Sequence, residues 1–347
     1  MKGLPNTKTV LFTFDYELFL GDNSGRPQEC LIPPTDQLLH LLDQSGYKGI
    51  FFVDTTYLIR LQQEADNHSE AARDLSDIRQ QLTRMVQNGH YIFPHIHPHW
   101  LDAEYDSKKN EWSLKNTRYY RFAAIDAGQQ DRLFEASMQI IRAFTDGVAG
   151  YQIDCYRAGG WSLQPFSHFD PFFLKYGITS DWSVIPGKYQ FSDANYFDFR
   201  NAPEGLPVYA FGDDPCVQEQ GGRFTEWTIS TMTMTPFENW LNFKVSGLLK
   251  RMGKSRRPSG STVTVGDTTE GDSLQQGKST RRIVSFEGLN PFTLRKHLSA
   301  IRRQSYYHFI SHPKLLTPFE FSMIGKLFEA LKKEGPIQSD FRKAVVR

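Results

Sequence analysis

Val10-Leu11-Phe12-Thr13-Phe14-Asp15 is an apolar, β-favouring run that ends on an acid. It reads as a buried strand, and a helix follows it: residues 34–44 carry leucines at helical spacing and stop at Gly46. The alternation then repeats. Residues 49–53 form a second buried strand, and 70–87 a long amphipathic helix closed by Asn88-Gly89. Residues 90–97 read as a third strand, 129–144 as a helix ending near Gly147, and 151–157 as a fourth strand. Residues 224–230 alternate like another strand, and 306–310 are the last. Such alternation implies an α/β fold with a parallel sheet, open or closed into a barrel. In these folds the chemistry collects at the carboxyl ends of the strands. Asp15, the histidines from His95 to His99, Arg157 and His312 all lie at or just past the end of a strand-like run, so they should converge on one face.

The 347 residues fit a single catalytic domain, 1–347, since barrels of this kind often run this long as one unit. With 40 basic and 39 acidic side chains the formal net charge is +1. No global field then draws the chain to nucleic acid, and a charged partner must be read by a local patch. Cys30, Cys155 and Cys216 are scattered and odd in number, as expected of reduced thiols. No apolar run is long enough to span a bilayer, and no apolar leader with a cleavage site precedes the first strand. The cytoplasm, or the inner face of its membrane, is the expected location. Two regions break the pattern. Residues 102–116 are polar and charged, like a loop over the site. Residues 253–282 are rich in Gly, Ser, Thr, Lys and Arg and hold almost no large apolar residue, which predicts a mobile insertion.

The densest chemical signal is Pro94-His95-Ile96-His97-Pro98-His99-Trp100. Imidazole is the commonest metal ligand, and three of them beside a strand end point to a metal more than to a surface loop of hydrogen-bonded histidines. Pro98 argues against a regular helix, which puts His95 and His99 on a tight turn. Asp15 and Glu17 are two apart and point the same way if the strand persists. One of them can bind metal while the other takes a proton from water, which completes a His-His-carboxylate set. Arg157 precedes Gly159-Gly160-Trp161, where glycines let the chain turn and a substrate approach closely. An arginine there orients a carboxylate, binds an oxyanion or forms a structural ion pair. Asp181 and Trp182 follow a short run, and His312 follows the last strand, placed either to give a proton to a leaving group or simply to turn the chain before Pro313.

With these residues in place the chain resembles the polysaccharide deacetylase superfamily, carbohydrate esterase family four. It looks most like the subgroup encoded among lipopolysaccharide O-antigen and capsule biosynthesis genes. Thr13-Phe14-Asp15-Tyr16-Glu17 is similar to the family's first motif, with Tyr16 where the family usually has a second Asp. His95 and His99 match the second motif, and His97-Pro98 also fits its ending. Arg157 with Gly159 and Gly160, Asp181 with Trp182, and Ile310 with His312 resemble the third, fourth and fifth. The resemblance implies a distorted (β/α)7-type barrel and one divalent metal, usually zinc, held by Glu17, His95 and His99, with His97 as a further candidate. It implies Asp15 as the general base, His312 as the acid for the departing amine, Arg157 as the residue that orients Asp15, and Asp181 as the support of Arg157. Trp100, Trp161 and Trp182 become candidates to stack on sugar rings, and Tyr16, Gly159 and Gly160 to line the substrate.

The implied activity is hydrolysis of a linear amide, the N-acetyl group of a sugar in a nucleotide-linked or lipid-linked glycan precursor. Two rivals stand beside it. One is a deformylase or other amide hydrolase on the same barrel. The other is a catalytically inert relative that binds glycan or metal. A glycosidase would need two carboxylates flanking the bond and no metal-histidine cluster.

Overall fold

The computed structural model describes residues 7–21, 23–116, 118–253 and 279–344. Its main sheet is built from β1 (Lys8–Tyr16), β2 (Gly49–Asp54) and β3 (Tyr91–Ile96), with β4 (Glu104–Asp106) and β5 (Glu111–Ser113) forming a separate hairpin. β6 (Cys155–Ala158) and β7 (Ser180–Asp181) rejoin the sheet, and β8 (Tyr189–Phe191) and β9 (Tyr196–Asp198) make a second hairpin. β10 (Val208–Phe211) and β11 (Phe224–Trp227) extend the sheet, β12 (Thr231–Met234) pairs β13 (Thr280–Ile283), and β14 (Tyr306–Ser311) and β15 (Ile337–Gln338) flank β1. The order is β10-β11-β7-β6-β3-β2-β1-β14, parallel except between β10 and β11.

The helices are α1 (Ile32–Ser45), α2 (Thr55–Ala65), α3 (Ser69–Gln87), which follows α2 directly, α4 (Ala127–Thr145), α5 (Asp170–Tyr176), α6 (Pro236–Arg251), α7 (Pro291–Arg303) and α8 (Pro318–Leu331). α8 begins where its sequence says: Thr317 caps the Glu320 N–H, Glu320 caps back, and Pro318 fills the first turn. The curled sheet bears out the α/β expectation, and its distortion has a visible cause. Beyond β14 no ladder continues to β10 among the described residues; single hydrogen bonds bridge the gap instead. Ile310 N donates to Val284 O at 3.0 Å, Val284 N to Ser230 O at 2.9 Å, and Ile229 N to Val184 O at 2.9 Å.

Strand parity decides what reaches the interior. In β1, Val10, Phe12, Phe14 and Tyr16 pack with Leu38, Leu42, Phe321 and Ile324 of α1 and α8 in the outer core. Leu11 belongs to the inner core with Phe52, Phe93 and Trp182, so Thr13 and Asp15 share that inner face. The same period puts Phe93 and His95 of β3 inside, with Ile92 outside. Tyr16, expected to line the substrate, therefore faces the helices: it is buried, and its hydroxyl donates to Gln81 Oε1 at 2.8 Å.

Two loop expectations need revision. The polar stretch 102–116 holds the β4–β5 hairpin, because Tyr105 and Trp112 are cross-strand partners 4.9 Å apart and Trp112 packs edge-on against Trp100. Of the predicted insertion 253–282, residues 254–278 lie outside the described residues. Its end is strand: Thr280 to Arg282 pair with β12, and Arg281 forms an ion pair with Glu204 at 2.7 Å.

The outward placement of Tyr16 is testable. Tyr16→Phe should cost about 1 kcal/mol, the usual worth of one buried hydrogen bond, in urea unfolding. It should leave turnover unchanged; a large loss of rate with intact stability would put Tyr16 back at the site.

Candidate active site

Arg157 is fully buried on β6 and forms the floor of the site. Its Nη1 donates to Asp15 Oδ1 at 2.5 Å, Nη2 to Thr13 Oγ1 at 2.9 Å, and Nε to the Trp182 carbonyl at 2.9 Å. The guanidinium also lies 4.1 Å over the Phe52 ring. Burial alone would raise the Asp15 pKa; the charge of Arg157, then those of His95 and His312, outweigh it and hold the carboxyl below its ordinary 3.8. Asp15 is thus a buried, ionised carboxylate with its second oxygen, Oδ2, facing the histidines: 4.0 Å from His95 Nε2 and 3.6 Å from His312 Nε2.

Above it, three donor atoms converge. Glu17 Oε2 lies 2.7 Å from His97 Nε2 and 3.5 Å from His95 Nε2, and the two Nε2 atoms are 2.9 Å apart. Ligands about 2.0–2.1 Å from a tetrahedral cation stand about 3.3 Å from one another, so the trio has the spacing of a coordination shell. The orientation agrees: His95 Nδ1 lies 2.8 Å from the Arg157 carbonyl, to which it can only donate, and this points Nε2 toward Glu17 and His97. His97 is in phase with His95 because the chain stays extended at φ −114°, ψ 90° before Pro98 starts a short 3-10 turn. That turn carries His99 out of phase. Its ring stacks on Tyr120, 5.6 Å away, and stands 5.0 Å from the His97 ring, outside the trio. Among the described residues the converging donors are thus Glu17, His95 and His97, the last being the further candidate of the sequence, while His99 lines the same cavity beside them. Burial, then the neighbouring His97, holds the His99 pKa well below its ordinary value, so that ring is neutral. Burial would lift the Glu17 pKa too, but Lys314 and His97 hold it well down.

His312 lies opposite, its Nε2 3.5 Å from Glu17 Oε1. Glu287 Oε1 accepts from both its backbone N–H at 2.9 Å and its Nδ1 at 2.8 Å. Burial disfavours the charged ring, yet Glu287, Asp15 and Glu17 outweigh it and push the pKa up to about 9. Lys314, two residues on, donates to Glu17 Oε1 at 2.9 Å and to the Leu18 carbonyl at 2.7 Å.

The walls revise other expectations. Trp182 is fully buried, stacked on Trp227 at 4.9 Å, and acts through its carbonyl rather than its ring. Trp100 edges the cavity but is buried and donates to Asp54 Oδ2 at 2.5 Å. Trp161 is half-exposed on the cavity rim at φ +56°, a rare conformation for a bulky residue. Gly159 is required where it stands, since a Cβ there would meet the Ile96 carbonyl at 2.4 Å. At Gly160 a Cβ would meet the Tyr120 ring at 2.6 Å. Asp181, expected to support Arg157, gives its oxygens to the Ser183 N–H and hydroxyl at 2.8 and 3.0 Å. It also stands in register with Glu226, and burial followed by the facing Asp181 carboxyl raises the Glu226 pKa well above normal.

Sequence reasoning missed Asp54, Asn195, Glu287 and Lys314. Asp54 ends β2 in phase with Phe52 and lines the cavity, so strand parity alone would have found it. Asn195 comes from the β8–β9 turn and donates to the Gly160 carbonyl at 3.0 Å. Glu287 lies in an irregular segment, and no local pattern marks it.

No family model matches the sequence, and no curated protein does. Among solved structures, the chain is similar to a Mycobacterium smegmatis protein assigned to the polysaccharide deacetylases (14% identity, 96% of this chain and 88% of that one, TM-score 0.48). It is also similar to Puue allantoinase (10%, 99% and 90%, TM-score 0.48). A third similarity is to a family 4 carbohydrate esterase from Streptomyces lividans (12%, 96% and 91%, TM-score 0.37). At such identities and scores these likenesses assign neither family nor activity, which leaves function to the chemistry of the side chains.

Removing the guanidinium tests the floor of the site. Arg157→Met should cost about 3–5 kcal/mol in urea unfolding, because it leaves Asp15 buried without its counter-charge. Asp15's folded pKa is depressed, so the pair's stabilisation is present above the unfolded value near 3.8 and is lost as pH falls through the folded value. The difference between wild type and variant should shrink in acid. A loss independent of pH would mean that Arg157 acts by packing on Phe52.

Proposed function

We propose that the protein is a metal-dependent hydrolase that removes the N-acetyl group from a sugar. The observation that carries this reading is the juxtaposition of a buried, ionised Asp15 with the Glu17–His95–His97 donor trio and a cationic His312. It is a base, a cation seat and an acid within about one reacting group of each other. The cation would be held by Glu17 Oε2, His95 Nε2 and His97 Nε2, with zinc the metal that this donor set suits best. When bound, it supplies Lewis-acid polarisation of the amide carbonyl and of water.

The chain's own residues divide the proton work. Asp15 Oδ2 accepts the proton of the attacking water, and Arg157 keeps that carboxylate charged and fixed by holding its other oxygen. His312 Nε2, charged through Glu287, gives a proton to the departing amine nitrogen. Lys314 holds Glu17 Oε1 and so presents Oε2 to the cation seat. Tyr120 and Trp161 shape the mouth, and Trp161 is the one of the three expected tryptophans whose ring is placed to meet a sugar. The ordered motifs of the sequence support a substrate in O-antigen or capsule biosynthesis, carried on a nucleotide or a lipid in the cytoplasm.

Elemental analysis together with acetate release from a panel of free, nucleotide-linked and lipid-linked N-acetyl sugars tests the reading. Active protein without metal would end it, and release of formate would move it to a deformylase.

The roles separate by substitution. Asp15→Asn should keep the metal and lose about 10²–10⁴-fold in rate, the usual worth of a general base. Glu17→Gln and His97→Ala should lose metal, whereas His99→Ala should retain it. Metal loss in His99→Ala with retention in His97→Ala would restore the pairing first read from the sequence.

His312 must be protonated to act as the acid, so activity should fall as pH rises through its value near 9. Glu287→Gln removes the largest of the charges that raise it and should shift the alkaline limb of the pH–rate profile to lower pH. An unmoved limb would exclude His312 as the proton donor.

A further inference from the structure

α6 is built the wrong way round for a helix of a globular domain. The residues it buries are Asn239 and Asn242. Asn239 Nδ2 donates to Thr280 Oγ1 at 2.9 Å, and Asn242 Oδ1 accepts from Asn290 Nδ2 at 2.8 Å, so the inward face is polar, satisfied and fixed in rotation. The outward face is apolar. Phe237 is 67% exposed, Trp240 54%, Phe243 65% and Leu248 59%, with Met252 just past the helix end 55%. These are five of the nine exposed large hydrophobic side chains among the described residues, gathered on one element of 16 residues and its cap. Phe237 and Trp240 stack at 5.8 Å, and positions 237, 240, 248 and 252 run along one side of the helix with Lys244 among them and Phe243 one turn from Trp240 at its margin. An exposed stripe of this size marks a contact surface.

The charges on the stripe say what it contacts. Lys244 sits within it, its Nζ 5.8 Å from the Trp240 ring, and Lys250 and Arg251 stand exposed at its end. None of the three is ion-paired among the described residues. The helix has a single acid, Glu238, and that residue is turned aside to cap Thr235 and to meet Lys296 at 2.5 Å. Aromatic and aliphatic side chains interleaved with unpaired cations, and no exposed anion, are the composition of a helix that lies in a bilayer interface. There the rings enter the headgroup–acyl boundary while the lysine stems reach back to phosphate. A second copy of the chain fits less well, because a two-fold contact through this face would bury Lys244, Lys250 and Arg251 with no free acid of α6 to pair them, Glu238 being held by Lys296. We infer that α6 is an interfacial helix that seats the protein on a membrane bearing anionic phospholipid headgroups. No α6 residue lines the catalytic cavity, and the inference stands apart from the catalytic reading.

Flotation of the full chain with vesicles of phosphatidylcholine alone, or of an equimolar mixture with phosphatidylglycerol, tests it. Binding should appear on the mixed vesicles, be absent or much weaker on the neutral ones, and fall as salt is raised. Trp240→Ser with Phe243→Ser, and separately Lys244→Glu with Lys250→Glu and Arg251→Glu, should each reduce the bound fraction at least about tenfold. Unchanged thermal melting would show that both variants fold, and hydrolysis of a free sugar, if wild type shows it, should be unaltered. Three results would overturn the inference: no binding to the mixed vesicles, binding that both variants retain, or a wild-type dimer in sedimentation velocity that Trp240→Ser abolishes.

Discussion

A guanidinium sealed from water at the centre of the sheet is the constraint on which the rest of the site depends. Arg157 has no exposure and cannot lose its charge, so its surroundings must supply a fixed anion and fixed acceptors. They do so from three strands: Asp15 and Thr13 on β1, the Trp182 carbonyl just past β7, and the Phe52 ring on β2. A buried ion pair is a poor way to stabilise a protein, because desolvation consumes most of the attraction. Its value here is chemical. It keeps a carboxylate ionised inside a cavity where burial alone would have protonated it. The same residue reaches the cation seat through its backbone, since its carbonyl fixes the ring of His95 across the β3–β6 ladder.

The two-residue period of the strands carries this arrangement outward. Each strand end offers alternate positions to the interior, and the functional groups occupy them in turn: Asp15 after Thr13, Asp54 after Phe52, and His95 and His97 after Phe93. The residues between, such as Tyr16 and Ile96, complete the packing beneath the helices. The inner part of the site is thus an extension of the sheet's own alternation, and Glu17, His97 and His312 follow directly on the strand ends.

That period explains what the sequence could reveal and what it could not. The run ending at Asp15, the histidine cluster and the Arg157 turn all announce themselves by composition at a strand end, and each is where local reasoning puts it. The choice between His97 and His99 needed the point at which extended chain gives way to a 3-10 turn, which Pro98 hints at but does not fix. For Asp181 the sequence could not name the direct partners, because they depend on tertiary register: its hydrogen bonds go to its neighbour Ser183, Glu226 faces it, and Arg157 acts on it through charge. Glu287 and Lys314 come from irregular or short segments, where no periodicity tells which way a side chain points. The outward aromatics of α6 were equally hidden, since a helical pattern gives the angle between residues and not which side is wet.

The facing carboxyls of Asp181 and Glu226 reach beyond the site. Both have raised pKa values, by burial first; for Glu226 the facing Asp181 then adds to the shift, while for Asp181 hydrogen bonds, with the charge of Arg157, offset part of it. Two such groups in register below the cavity cannot both ionise at low cost, so the native state retains a proton there that the unfolded chain has already given up. Between the ordinary carboxyl range and the raised native value, the folded protein therefore binds more protons than the unfolded one, and stability declines as pH rises through that window. Unfolding within that window becomes a reaction that delivers a proton to the solvent, and its calorimetric heat varies with the ionisation enthalpy of the buffer that receives it.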